Sequence, residues 1–165
     1  GKEKHDLLMR IAMVTNDIAD WDATLNDAID RCDTPAICRS RLNRIQCLFN
    51  FYSVDSAIIE ARESLPFILN AKQYSFYFST YNTYISGLFK QRRFDEAREE
   101  ATTMFETAQQ VKQPVGMTMA LQVQGSMYYK LGLYDQALTS LEKGIAICPT
   151  YENGENQVLY ISAVL

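Results

Sequence analysis

Residue types that could do acid–base or nucleophilic chemistry are few in this sequence. The only histidine is His5, so an imidazole-based triad has one candidate, in a polar terminal stretch that we expect to fray. Two pairs of neighbouring carboxylates could act as acid and base, Asp95 with Glu96 and Glu99 with Glu100. Such pairs are far more often the solvated face of a helix. No glycine-rich phosphate loop, nucleophile elbow or zinc-protease motif occurs, and we predict that the protein is not an enzyme and uses no cofactor.

The cysteines do not form a metal-binding pattern. None of Cys32, Cys38, Cys47 and Cys148 belongs to a C-x-x-C pair, and one histidine cannot complete a zinc site, so we predict no metal. Cys32 and Cys38 bracket the short segment DTPAI and could form a disulfide in an oxidising compartment. The alternative, which we favour modestly, is that the cysteines are reduced and buried on helix faces.

Composition and charge indicate a folded domain without a nucleic-acid footprint. The chain has 165 residues, of which 47% are hydrophobic and 22% charged, a composition typical of globular proteins. Its net charge of −4 argues against nucleic-acid binding, which needs a basic patch. No apolar run approaches the roughly 18 residues of a membrane span. The start at Gly1 and the apolar end VLYISAVL predict a piece of a longer protein, with any membrane anchor outside it.

The sequence repeats itself with a period of 40 residues. The segments NFYSVDSAI at 50–58, KQRRFDEAR at 90–98 and KLGLYDQAL at 130–138 align without gaps. An aspartate recurs at 55, 95 and 135, and an alanine at 57, 97 and 137. Three copies in register indicate an array of repeated structural units.

Each copy is predicted to form two helices. Apolar residues recur at helical spacing in the first helices, within 41–52, 79–91 and 120–132, and the second helices begin near 53, 94 and 134. Gly132 can adopt the left-handed conformation that ends a helix, whereas Pro66 should kink or end the helix that contains it. Pro149 is expected to close the last helix. A helix over 6–18 followed by another from about 20 to 32 would form a degenerate earlier copy.

The last copy contains a spaced set of apolar, small and aromatic residues: Leu121, Gly125, Tyr128, Gly132, Tyr134, Ala137, Leu141 and Pro149. This set resembles the signature of the tetratricopeptide repeat (TPR) family. Leu121 replaces the usual Trp and Gly144 a usual Ala, and the repeats run 40 residues instead of roughly 34. The resemblance implies an all-α fold, a right-handed α-solenoid of stacked antiparallel helix hairpins.

The implied organisation is a single helical-repeat domain over 1–165. Within it we expect a degenerate repeat at 1–34 and repeats at about 35–72, 73–112 and 113–150. The start of a further helix would occupy 151–165.

The same resemblance implies a binding groove along the first helices, which line the concave side of TPR arrays. Phe49, Phe89 and Tyr129 recur at 40-residue spacing in a position that faces this groove in the family, and a ladder of aromatic side chains could bind a protein or peptide partner. The neighbouring positions complete the predicted site: Gln46, Ser86, Ser126, Asn82, Gln122, Lys90 and Lys130. Alternatively the aromatic side chains are core, since aromatics at helical spacing are more often buried.

Two subclasses of the family can be compared. Ser86 and Ser126 stand where chaperone-binding domains have Asn, and Asn82 and Gln122 where they have Lys, which argues against a co-chaperone. The long units, with segments 101–110 and 116–125, instead resemble the sensor regions of bacterial TPR-bearing histidine kinases and transcriptional regulators. That resemblance implies a sensing or interaction domain in a two-component or transcription-regulating protein, periplasmic in a membrane-anchored regulator, with homodimerisation possible. The alternative is a cytoplasmic scaffold or assembly adaptor.

Overall fold

The described part of the chain is helical throughout. The computed structural model describes residues 1–147, which form eight α-helices and one π-helical turn. The helices are α1 (Lys2–Thr15), α2 (Ile18–Asp30), α3 (Thr34–Cys47), α4 (Val54–Asn70), α5 (Tyr74–Lys90), α6 (Phe94–Gln110), α7 (Pro114–Lys130) and α8 (Tyr134–Ile147), with the π-helical turn at Leu48–Tyr52. No strand occurs within 1–147, which confirms the prediction of an all-α fold.

Contacts divide the chain into two compact units. The N-terminal unit is Gly1–Gly87 and the C-terminal unit is Leu88–Leu165, so α5 contributes its residues 74–87 to the first and 88–90 to the second. Within each unit, consecutive helices pack against each other. The expectation of one domain over 1–165, with repeat boundaries near 35, 73 and 113, stays a prediction.

Helix lengths explain the 40-residue period. Each of α4, α5, α6 and α7 has 17 residues, and three-residue turns separate them, so helices begin at 54, 74, 94, 114 and 134. A period of 40 is therefore two helices with their two turns. The predicted starts of the second helices, near 53, 94 and 134, are confirmed.

One type of turn ends five of the helices. Its middle residue has a positive φ: Cys32 at 51°, Lys72 at 56°, Arg92 at 59°, Lys112 at 54° and Gly132 at 76°. The next residue donates its N–H to the carbonyl five positions earlier, as Leu133 does to Tyr128 at 2.9 Å. This is the Schellman arrangement, which satisfies carbonyls that the helix end leaves open. Gly132 was predicted in this role; the other four positions were not, because their residue types do not favour it.

Two predicted boundaries differ from the structure. Pro66 was predicted to kink or end its helix; it lies inside α4, which continues to Asn70, so it does not end the helix, and the kink stays a prediction. At the N-terminus, the helix predicted over 6–18 runs from Lys2 to Thr15 instead. Asn16 then turns the chain with φ 52°, and the Asp17 side chain accepts a hydrogen bond from Ala19 N–H at 2.9 Å to start α2 at Ile18. Pro149 and the predicted helix at 151–165 lie outside the described residues.

Small residues let paired helices approach closely. Ala57, Ala97 and Ala137 are each the fourth residue of their helix and are 2%, 0% and 1% exposed, as the repeat predicts. In the C-terminal unit, a Cβ added at Gly125 would lie 2.7 Å from Cγ of Leu141, closer than carbon atoms can approach. Among the described helices, none is both long and apolar enough to cross a membrane.

Candidate functional site

A cleft opens in the C-terminal unit where two helix–helix turns lie side by side. Its volume is about 260 Å³. One side is formed by the end of α5 and the start of α6, and the other side by the end of α7 and the start of α8. Its walls are formed by Phe89, Phe94, Asp95, Arg98, Met127, Tyr128, Leu131, Leu133 and Gln136.

A pair of aromatic side chains spans the turn between α5 and α6, and another spans the turn between α7 and α8. The ring of Phe89, on the last turn of α5, lies 4.9 Å from that of Phe94, the first residue of α6. Forty residues on, the rings of Tyr129 and Tyr134 lie 5.6 Å apart in the equivalent places. The ring planes are inclined at 57° and 60°, and both centroid distances are within the range of favourable aromatic pairs. The repeat thus places the same pair at both turns, and the first pair forms a wall of the cleft.

The lining of the cleft is mostly apolar, and several of its apolar side chains are exposed to solvent. Phe94 is 38% exposed, and Leu131 and Leu133, on either side of Gly132 in the turn, are each 44% exposed. A cluster of exposed large apolar side chains in a concave place is typical of a binding surface.

Charged groups surround this apolar lining. The Lys130 ammonium nitrogen lies 5.3 Å from the centroid of the Phe89 ring, within the range of a cation–π interaction. Arg98 donates through Nη2 to Oδ1 of Asp95 at 3.0 Å, and both side chains are largely exposed. Just outside, Arg93 forms a two-point pair with Glu96, at 2.8 and 2.6 Å. Arg98 and Asp95 therefore line the cleft, and the cation of Lys130 lies beside Phe89, which lines it too.

The structure brings together only part of the predicted aromatic strip. Phe89 lines the cleft and Lys130 lies over its ring. Tyr129 is 44% exposed, so it is not core, yet it stacks on Tyr134 while its neighbour Tyr128 lines the cleft. Lys90 is exposed at the last position of α5. Sequence reasoning did not place Phe94, Leu131 and Leu133 in the site. The two leucines could have been found from the sequence, because they flank the glycine of the turn.

The other predicted site residues lie elsewhere on their helices. Phe49 is half-buried in the π-helical turn and Gln46 is exposed near the end of α3. On α5 the Ser86 hydroxyl donates to Oδ1 of Asn82 at 3.5 Å. On α7, Gln122 and Ser126 are half-buried, and Gln122 borders a cavity of about 10 Å³, too small for a peptide side chain. Their role in binding stays a prediction.

His5 is part of a buried polar cluster in the N-terminal unit, so the expectation that it frays is wrong. Its side chain is 5% exposed, and Nδ1 lies 3.2 Å from Oδ2 of Asp27 on α2. Lys4 and Arg31 contact the same carboxylate at 3.2 and 3.0 Å. Burial raises the pKa of Asp27, but hydrogen bonds and positive charge from Lys4 and Arg31 outweigh it, so this pKa is lowered. The cluster attaches α1 to α2.

The described cysteines are free thiols. Cys32 is exposed, Cys38 and Cys47 are buried, and Cys32 is not bonded to Cys38. Burial raises the pKa of the Cys38 thiol, partly opposed by the charge of Arg41, and the pKa of Cys47 is raised by burial as well. These two side chains behave as the buried, reduced cysteines of the favoured alternative.

Comparison with known proteins does not assign the chain to a family. No protein-family model matches the sequence, and no curated protein is significantly similar to it. The described residues form a helical protein in which four consecutive helices have 17 residues each and aromatic side chains lie exposed at two turns. Membership of the TPR family stays a prediction.

Proposed function

We propose that this protein is a non-catalytic helical-repeat module that binds a peptide segment of a partner protein in the cleft of the C-terminal unit. One observation carries the proposal: the cleft is lined by Phe94, Leu131 and Leu133, large apolar side chains that remain between 38% and 44% exposed. A partner that covers exposed apolar surface of this kind removes it from water, which favours binding.

The size of the cleft favours a side chain as its occupant. At about 260 Å³ it is smaller than typical cofactor and drug-sized pockets, which begin at roughly 300 Å³. One leucine or phenylalanine side chain of a partner would fill much of it. Burying such a side chain contributes about 1.5–3 kcal/mol, so we expect weak, reversible binding to which neighbouring contacts add.

The arrangement of the repeats and the biological setting are parts of the same proposal. Regular helix spacing and recurring turns support a right-handed, TPR-like solenoid of helix hairpins. The resemblance of segments 101–110 and 116–125 to bacterial sensor regions supports a sensing or interaction domain of a signalling or transcription-regulating protein. A cytoplasmic scaffold without a signalling role is the alternative. A kinase or DNA-binding segment encoded beside this chain would favour the first, and a gene without either would favour the second.

Peptide selection tests the proposal. A displayed library of random peptides is selected on the full chain, and enriched peptides are measured by fluorescence anisotropy. We expect Leu133→Ser to weaken their binding at least fivefold, since an apolar contact worth about 1 kcal/mol is lost. Leu7→Ser is the matched control, because Leu7 is 59% exposed on α1 in the N-terminal unit.

Two outcomes would contradict the cleft as the binding site. One is a selection that enriches no peptide above a blank surface. The other is binding that survives Leu133→Ser but is lost in Tyr129→Ala with helicity unchanged by circular dichroism, which would place the partner on the predicted aromatic strip instead.

A further inference from the structure

We infer that the segment bound in the cleft carries a carboxylate beside its apolar anchor, with Lys130 and Arg98 as the groups that receive it. This inference rests on the proposed function and specifies the chemistry of the partner. It follows from the distribution of charge around the cleft and from how the two cations are held there.

Charge around the cleft is opposite in sign to that of the chain. Segments 89–98 and 127–136 contain all of its lining residues, among which Arg98 and Asp95 are charged. Over their whole length these segments contain five Lys and Arg residues against three Asp and Glu residues, whereas the whole chain has a net charge of −4. Two of the three acidic side chains are matched by neighbours, Asp95 by Arg98 and Glu96 by Arg93. The surplus is positive and local, so it favours a partner that is negative close to its apolar anchor.

Lys130 contacts an aromatic ring beside the cleft instead of a carboxylate. Its ammonium group lies over Phe89, which lines the cleft. Within residues 1–147, no carboxylate forms an ion pair with it. A cation–π contact leaves the ammonium hydrogens facing away from the ring able to donate. The Lys130 ammonium group can therefore still donate hydrogen bonds to a carboxylate of a partner.

Only part of the Arg98 guanidinium group is engaged in the contact with Asp95. It lines the cleft and contacts Asp95 through Nη2 alone, and the two side chains are 61% and 89% exposed. Exposed pairs three residues apart on a helix are weak. The remaining guanidinium donors have the planar geometry that suits a carboxylate, so a partner's carboxylate can bind Arg98 without breaking a strong contact.

Peptides that differ by one charge test the inference. Fluorescein-labelled nine-residue peptides carry a single Leu or Phe anchor with either Glu or Gln beside it, and each is made with a free and an amidated C-terminus. Anisotropy is measured with the full chain at 50 and 200 mM NaCl. We expect the Glu peptides to bind about two- to fivefold more tightly than the Gln peptides, and this ratio to shrink in the higher salt.

Variants of the chain assign the effect to the two cations. Lys130→Met keeps a long apolar side chain over Phe89 but removes the charge, and we expect it to abolish most of the preference for Glu. Arg98→Met should reduce the preference as well. Lys143→Met is the matched control, because Lys143 is exposed on α8 and does not line the cleft.

Each outcome has a distinct meaning. Equal binding of Glu and Gln peptides overturns the inference while leaving the proposed function intact, because the anchor still binds. An equal loss of both peptides in Lys130→Met also overturns it, since Lys130 would then act through packing alone. A preference that follows only the free C-terminus overturns it as well, because a chain end and not a side chain beside the anchor would then supply the charge. Failure of every anchored peptide to bind contradicts the proposed function itself.

Discussion

The recurring left-handed turns predict that one substitution, lysine to glycine, has opposite effects at two places in the same unit. Lys112 has φ 54° in the turn between α6 and α7. An L-residue pays about 1–2 kcal/mol for this conformation, which glycine avoids. Glycine loses about 0.5–1 kcal/mol more in chain entropy on folding, and removing a cation from a helix C-terminus costs about 0.3 kcal/mol. The balance is a stabilisation of about 0.5 kcal/mol for Lys112→Gly.

Urea unfolding followed by circular dichroism at 222 nm measures this balance. With a slope of about 2 kcal/mol per molar urea, the midpoint should rise by about 0.25 M. Lys143→Gly, within α8, should lower it by about 0.4 M, because glycine in a helix interior costs about 0.8 kcal/mol relative to a good helix former. Gly132→Lys should also destabilise, since φ is 76° there. A fall in midpoint for Lys112→Gly as large as that for Lys143→Gly would refute the reasoning.

Two further predictions concern buried contacts, one in each unit. Gly125→Ala places a Cβ 2.7 Å from Cγ of Leu141 and should destabilise by about 1–3 kcal/mol. Adding Leu141→Ala should recover part of that loss in a double-mutant cycle, and strictly additive effects would contradict the close approach. Asp27→Asn should destabilise by about 1–3 kcal/mol, because Lys4 and Arg31 lose the carboxylate they share. Since the folded-state pKa of Asp27 is lowered, its stabilisation is present above the unfolded-state pKa and is lost as pH falls through the folded-state value. Unfolding between pH 7 and pH 2 should therefore depend less on pH in Asp27→Asn, and an unchanged profile would count against the pairing.

The units differ in what connects their helices. In the N-terminal unit, Arg44 on α3 contacts Asp22 on α2 at 2.6 Å and also Glu60 on α4, so one guanidinium joins three helices. Burial lowers the pKa of Arg44, but the two carboxylates outweigh it and the pKa is raised. In the C-terminal unit, α7 and α8 are joined by the close packing of Gly125 against Leu141. The cleft lies in this unit, where an aromatic pair spans each of the two turns.

The sequence by itself determined the helical class, the 40-residue period and the starts of α4, α6 and α8. These depend on local interactions: apolar residues at helical spacing, an aspartate near each helix start, and an alanine at the same step of each copy. Gly132 was likewise predictable, because glycine is the residue that adopts a positive φ without strain. Lys72, Arg92 and Lys112 were not, since lysine and arginine seldom adopt the positive φ that they have here.

Tertiary structure alone decided which side chains form the candidate site. Helical periodicity predicts that Tyr128 and Tyr129 lie on the same helix. Only the packing of α6, α7 and α8 decides that Tyr128 lines the cleft while the ring of Tyr129 contacts that of Tyr134. His5 shows the same limit, because its partner Asp27 is 22 residues away and no local pattern links them. Burial and pairing depend on neighbours that are distant in sequence, whereas helix formation depends on neighbours within a few residues.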